Sequence, residues 1–149
     1  MNEYALAKFL HILVAILALG TSAGLGIVLE FYGDHPTHGP FVLRAIERVV
    51  AFFVVPGYVL MLVTGLWMVE LSWPWTTKWI QAALALWSVG LAMLGGSLAL
   101  LHKQRGLFDN QGPISASYRR TSLLGRGLGA GGGIVVITIL YLMVIKPWN

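Results

Sequence analysis

His11 is the residue in this sequence with the clearest capacity for chemistry, because it lies inside an apolar stretch, Tyr4 to Leu29, long enough to cross a membrane. A polar side chain in hydrocarbon is costly unless it faces other helices and finds a partner there. Small residues at helical spacing share its face, namely Ala15, Ala18, Ser22 and Gly26. His11 is therefore expected to point at neighbouring helices, where an imidazole can bind a metal ion or haem iron.

Candidate companions for His11 come from the other apolar stretches. Met61 and Met68 lie two helical turns apart on one face, and Met143 and Lys78 fall in the same half of the membrane. Imidazole and thioether form a known ligand set for haem iron and for copper. Methionines at helical spacing are also typical of plain core packing. The sequence leaves both interpretations open.

The elements that must position these residues are four apolar stretches. Hydrophobic residues make up 57% of the 149 residues and charged residues 11%, with a mean hydropathy of +0.76. A soluble domain carries about a quarter charged residues. The sequence therefore predicts an all-α integral membrane protein, one transmembrane domain over residues 1–149. Its helices are expected at about residues 4–29, 49–71, 79–101 and 128–145. The absence of cysteine excludes disulfides and thiolate metal sites.

The distribution of basic residues predicts the orientation of this four-helix bundle. Seven of them fall in the connections 31–48 and 102–127, against three on the other side. The positive-inside rule then places those connections in the cytoplasm and both termini outside it. We expect a multi-pass protein of the bacterial inner membrane whose net charge of +4 serves the lipid surface and not nucleic acid.

The polar connection before the fourth stretch predicts a turn, then a short amphipathic helix that Ser115 caps and that lies against the inner leaflet. Its arginines are expected to bind anionic lipid, namely Arg119, Arg120 and Arg126. In the first connection, Glu47 is expected to pair with Arg44 or Arg48.

The remaining histidines are weaker candidates. His35 and His38 stand in a turn-forming run, where solvated side chains are favoured over a surface metal site. His102 falls at the opposite membrane surface from His11, so the two cannot be the axial ligands of one haem.

Two backbone features predict packing. Pro56 and Gly57 should kink the second helix and free a carbonyl group. Gly125, Gly129 and Gly133 recur at four-residue spacing and predict a flat face for close helix packing. The partner of that face is expected to be either the first helix or a second copy of the chain.

Several short motifs carry a resemblance that spans nearly the whole chain. They are Leu10-His11-Ile12, Val55-Pro56-Gly57 with Thr64-Gly65-Leu66-Trp67, Trp75 with Lys78, and Val144-Ile145-Lys146-Pro147. The chain resembles an uncharacterised bacterial family of four-helix membrane proteins, similar to HemJ-type protoporphyrinogen oxidases and CopD-like copper-resistance proteins. The resemblance implies that His11 binds b-type haem and that Lys78 matters for activity. The Asn-Glu-Pro element of the HemJ-type enzymes is replaced here by Arg120-Thr121-Ser122-Leu123.

Two functions of different class follow. The first is a haem-binding, redox-active membrane protein built around His11, with Met61, Met68, Met143 or Lys78 as the second ligand, or a copper-handling site from the same His and Met residues. The second is an accessory or structural membrane protein in which His11 is hydrogen-bonded to a neighbouring Ser, Thr or backbone group.

Overall fold

The computed structural model describes residues 2–147, and these fold as helices joined by short connections. The helices are α1 (Glu3–Tyr32), α2 (Gly39–Val49), α3 (Val55–Ser72), α4 (Lys78–Gln111) and α5 (Ala116–Ile145), with a π-helical segment (Val50–Val54) joining α2 to α3. Within the described part, four helical spans are long and apolar enough to cross a membrane, because α2, the π segment and α3 form one of them. The predicted all-α, four-span architecture is confirmed.

Four spans bring both ends of the described chain to the same end of the bundle. We call this the tryptophan end, because the connection between α3 and α4 there carries Trp73 and Trp75. The opposite end, which holds the α1–α2 and α4–α5 connections, is the basic end.

Helices at the basic end extend further than the hydropathy pattern predicted. The second span begins at Gly39, the third continues to Gln111 and the fourth begins at Ala116. Ser115 caps α5 as expected, since its side chain accepts a hydrogen bond from the Tyr118 N–H. The prediction of a separate amphipathic helix against the leaflet was wrong, because that segment is the first part of α5 itself.

Side-chain pairing explains why charged residues do not end these helices. Glu47 of α2 accepts hydrogen bonds from His102 (2.7 Å) and Arg105 (2.6 Å) of α4, and not from the neighbouring arginines predicted from sequence. Arg126 of α5 donates to Glu30 (3.2 Å) and Asp34 (2.7 Å) near the end of α1. Charged groups paired in this way are stable at the edge of an apolar bundle.

Pro56 is accommodated by a π-helical segment immediately before it in the chain. Proline cannot donate the hydrogen bond that an α-helix requires. The chain accommodates it with the preceding π-helical segment, where the Val55 N–H bonds to the Val50 carbonyl oxygen. A wider turn before a proline is a common way to insert one residue into a helix, and it often marks a functional region.

The helices associate as two pairs, α1 along α3 and α4 along α5, and α2 joins the pairs by packing against α4. In the first pair Gly57 lies against Ala18, where an added methyl group would come within 2.7 Å of the Ala18 side chain. In the second pair Gly131 lies against Met93.

The predicted glycine face does not contact α1. Methyl groups added at Gly125, Gly129 and Gly133 would meet nothing within 4 Å among the described residues. The first helix is therefore not the partner of this face, and α5 instead packs on α4 through neighbouring positions. The face is left open on the surface of a single chain.

Candidate functional site

An apolar cavity of about 440 Å³ lies between the two helix pairs in the half of the bundle nearer the tryptophan end. Its walls come from α1, α3, α4 and α5, and most of the side chains are aliphatic or aromatic. This volume lies in the range of small-molecule and cofactor sites, which are typically concave and mostly apolar with a few polar groups.

His11 is the polar group in the wall of this cavity with the most defined geometry. Its Nδ1 lies 2.9 Å from Oγ1 of Thr64, a residue of α3 that is 8% exposed. The Thr64 hydroxyl donates its proton to the carbonyl oxygen of Leu60 at 2.8 Å. We assign the hydrogen of the imidazole to Nδ1, because a hydroxyl that donates its one proton to Leu60 can only accept from His11. The Nε2 of a neutral imidazole is then left with a free lone pair.

Gly65 allows the imidazole to lie close to α3. A methyl group added there would stand 3.3 Å from Cε1 and 3.6 Å from Nδ1 of His11. The first contact would be tight and the second an ordinary van der Waals contact, so the ring packs directly against Gly65 while Thr64 bonds to its Nδ1. This support matters for any ligand role, since the partner of one ring nitrogen sets the orientation and basicity of the other.

The three methionines predicted as companions all line the same cavity. Met61 is buried, while Met68 and Met143 are half-buried. The structure therefore brings together His11 and three thioether groups from α3 and α5. These are soft and polarisable side chains suited both to packing and to metal chemistry.

Lys78 lies elsewhere. It is the exposed first residue of α4 and is not part of the cavity wall. The lysines that line the cavity are Lys8 and Lys146, which the sequence pattern did not single out as site residues. Hydropathy could not distinguish them from Lys78, since all three lie at the same end of the bundle.

Tyr58 and Trp87 link the two helix pairs along the cavity wall. Their rings stack at a centroid distance of 5.3 Å, and the Trp87 indole N–H donates to the Tyr58 carbonyl oxygen at 3.3 Å. The Tyr58 hydroxyl donates to the Trp87 carbonyl oxygen at 3.4 Å and lies against Gly90, where a side chain would collide with it. The apolar pattern of the sequence did not indicate a role for Tyr58, although a tyrosine inside an apolar span is itself a signal for a polar contact.

No other histidine joins the site. His102 pairs with Glu47 at the basic end, as its opposite position predicted. His35 accepts the backbone N–H groups of Thr37 and His38 through its Nδ1, so its ring caps a turn. Across residues 2–147 there is no group of three or more His, Asp or Glu side chains that could hold a metal ion.

The fold and the cavity define a class, a multi-pass integral membrane protein with an apolar cavity between its helices. Residues 5–147 match the family described as "Predicted integral membrane protein (DUF2269)", and the chain belongs to that family. The expected membership of an uncharacterised membrane protein family is thereby confirmed. No curated protein and no solved structure matches the chain.

Proposed function

We propose that this membrane protein binds b-type haem in the cavity through His11 and has a redox role. The observation that carries the proposal is the His11–Thr64 hydrogen bond at 2.9 Å, which fixes the imidazole and leaves Nε2 available as a ligand. A bound haem would supply one-electron transfer, with a potential that depends on the axial ligands and the polarity of the surroundings.

The wall of the cavity fits an apolar macrocycle. Aromatic and aliphatic side chains from four helices line it, and Tyr58 and Trp87 form a stacked pair of rings along one side. Met61, Met68 and Met143 are available in the same space as second ligands. Burial among such groups excludes water and raises the reduction potential of a bound cofactor.

The HemJ-type and CopD-like resemblance supports haem and copper chemistry in the same place. Of the two positions it implies, His11 lies in the cavity, and Lys78 lies outside its wall and stays a prediction. We do not extend the proposal to oxidation of a porphyrinogen, because the segment Arg120 to Leu123 replaces the element that those enzymes carry.

Two other functions each have an observation in their favour. Copper(I) prefers soft ligands, and one imidazole with three thioethers around one cavity is a suitable set. A purely structural role is favoured by the same His11–Thr64 bond, because hydrogen bonds between membrane helices hold bundles together.

The visible spectrum and the metal content of protein purified from haem-replete cells distinguish these functions. The proposal expects a Soret band that His11→Ala abolishes and that the matched control His102→Ala, at the basic end, leaves intact. Bound copper without a Soret band would favour the copper site. Colourless, metal-free protein would leave the structural role, and full haem retention in His11→Ala would refute ligation by His11.

We also propose an inner-membrane location with both termini extracytoplasmic, supported by the seven basic residues at or near the basic end. Arg119 and Arg120 are exposed there and suited to anionic lipid, whereas Arg126 is already paired with Glu30 and Asp34. Alkaline phosphatase fused to the C-terminus should be active, and a fusion at Asn110 should be inactive. The reverse pattern would invert the topology.

A further inference from the structure

The opening of the cavity at the tryptophan end carries positive charge with no acidic residue in the wall. Lys8 of α1 and Lys146, which follows α5, both line the cavity, whereas none of the described lining residues is Asp or Glu. Neither lysine forms an ion pair with another residue in the range 2–147. Two ammonium groups at the edge of an apolar space favour an anion there.

Lys146 is held over the opening by an unusual backbone conformation. It has φ 49° and ψ 55°, and it is the one residue other than glycine with positive φ in the described chain. Glycine or asparagine usually occupies this left-handed position after a helix, because a side chain there is strained. The conformation places Nζ 4.4 Å from the ring centroid of Trp73 and 5.9 Å from that of Trp79. The ammonium group is thereby fixed on an aromatic surface.

The indole N–H of Trp79, the ring next to Lys146, is a second and independent observation at this end of the cavity. It is 8% exposed and lines the cavity, and its indole N–H is buried without an acceptor among the described residues. A buried donor without a partner is uncommon and calls for a missing acceptor.

We propose that Lys146, Lys8 and the Trp79 indole form an anion site that binds the carboxylate of an amphiphilic ligand whose apolar body fills the cavity. The inference deepens the proposed function and rests on it where the ligand is haem, whose propionates would be the carboxylates. A long-chain fatty acid carries a carboxylate of the same chemistry and is the other candidate ligand.

The test compares acids with their neutral esters on the purified full-length protein. Haem and haem dimethyl ester are titrated into wild type, Lys146→Met and the control Lys103→Met, whose exposed lysine lies at the basic end and outside the wall. Loss of one charge-assisted contact should weaken haem binding by about tenfold in Lys146→Met. Binding of the dimethyl ester should not change, and Lys103→Met should behave as wild type with both probes.

A second probe pair separates this inference from the proposed function. A fatty acid with a fluorophore at its far end, and its methyl ester, are titrated into the same three proteins. If wild type prefers the fatty acid to its ester, Lys146→Met loses this preference and no protein binds haem, the anion site would be supported and the haem proposal refuted. Equal binding of acid and ester by wild type in both pairs, no binding of any probe, or equal losses in the two lysine variants would overturn the anion site.

Discussion

Replacing Thr64 with valine tests whether the His11–Thr64 hydrogen bond organises the cavity. Valine has nearly the same shape as threonine but cannot accept the hydrogen bond from His11, in which Nδ1 lies 2.9 Å from Oγ1 of Thr64. The Leu60 carbonyl oxygen loses only the extra bond from the hydroxyl, since it remains within the α3 helix. The main loss is therefore one half-buried imidazole N–H without a partner.

The magnitude follows from that single unpaired donor. A buried donor left unpaired costs about 1–3 kcal/mol, whereas hydrogen bonds between membrane helices average about 0.6 kcal/mol. We expect the free energy of unfolding to fall by about 1 kcal/mol. If haem is bound, loss of the partner that orients the imidazole should also weaken its affinity by about 10- to 100-fold.

The assay is a double-mutant cycle on Thr64→Val and His11→Leu, measured as the free energy of unfolding in mixed detergent. Thr138→Val is the matched control, because that exposed threonine also donates to its own helix, at 2.9 Å to Ile134, and has no histidine partner. A coupling energy near zero, or an equal loss in Thr138→Val, would refute the reasoning.

Two further predictions concern a helix packing contact and a buried hydrogen bond. Gly57→Ala should reduce the free energy of unfolding by about 1–3 kcal/mol, because the new methyl group would lie 2.7 Å from the Ala18 side chain. The control Gly129→Ala, at an open position, should not destabilise the chain. Equal effects of the two substitutions in an unfolding titration would contradict the assigned contacts. Tyr118→Phe should cost about 2 kcal/mol, because it removes the partner of the buried Gln104 amide at 2.9 Å, and an unchanged midpoint of thermal unfolding would count against that bond.

The sequence predicted the span number, and it placed His11 and three methionines in one half of the membrane, because both depend on hydropathy and helical spacing. His11, Met61, Met68 and Met143 meet in one space since their depths in the membrane can be counted along each helix. The sequence also allowed a hydrogen bond from His11 to a neighbouring Ser or Thr, and the structure identifies Thr64 as that partner.

Residues whose environment depends on a distant partner could not be placed in this way. Glu47 lies within α2, and not in a connection as the sequence predicted, because α4 supplies His102 and Arg105 as its partners. Both partners lie far along the chain. Lys146 reaches the cavity because its left-handed backbone turns it over Trp73, a conformation that hydropathy does not encode. For the exposed glycine face the structure excludes α1 as the partner, and packing against a second copy stays a prediction, since spacing indicates close packing without identifying the partner.

The position of the cavity follows from how the two helix pairs are joined. At the basic end, charged hydrogen bonds such as Arg105–Glu47 and Arg126–Asp34 cross between the pairs. Along the cavity the described contacts between pairs are apolar or aromatic, apart from the two uncharged Tyr58–Trp87 hydrogen bonds and the Lys146–Trp73 contact at the opening. Directional charged bonds fix the distance between helices, whereas apolar contacts can be exchanged for those of a ligand at little cost. A ligand should therefore enter from the tryptophan end, past Lys146, and leave the basic end unchanged.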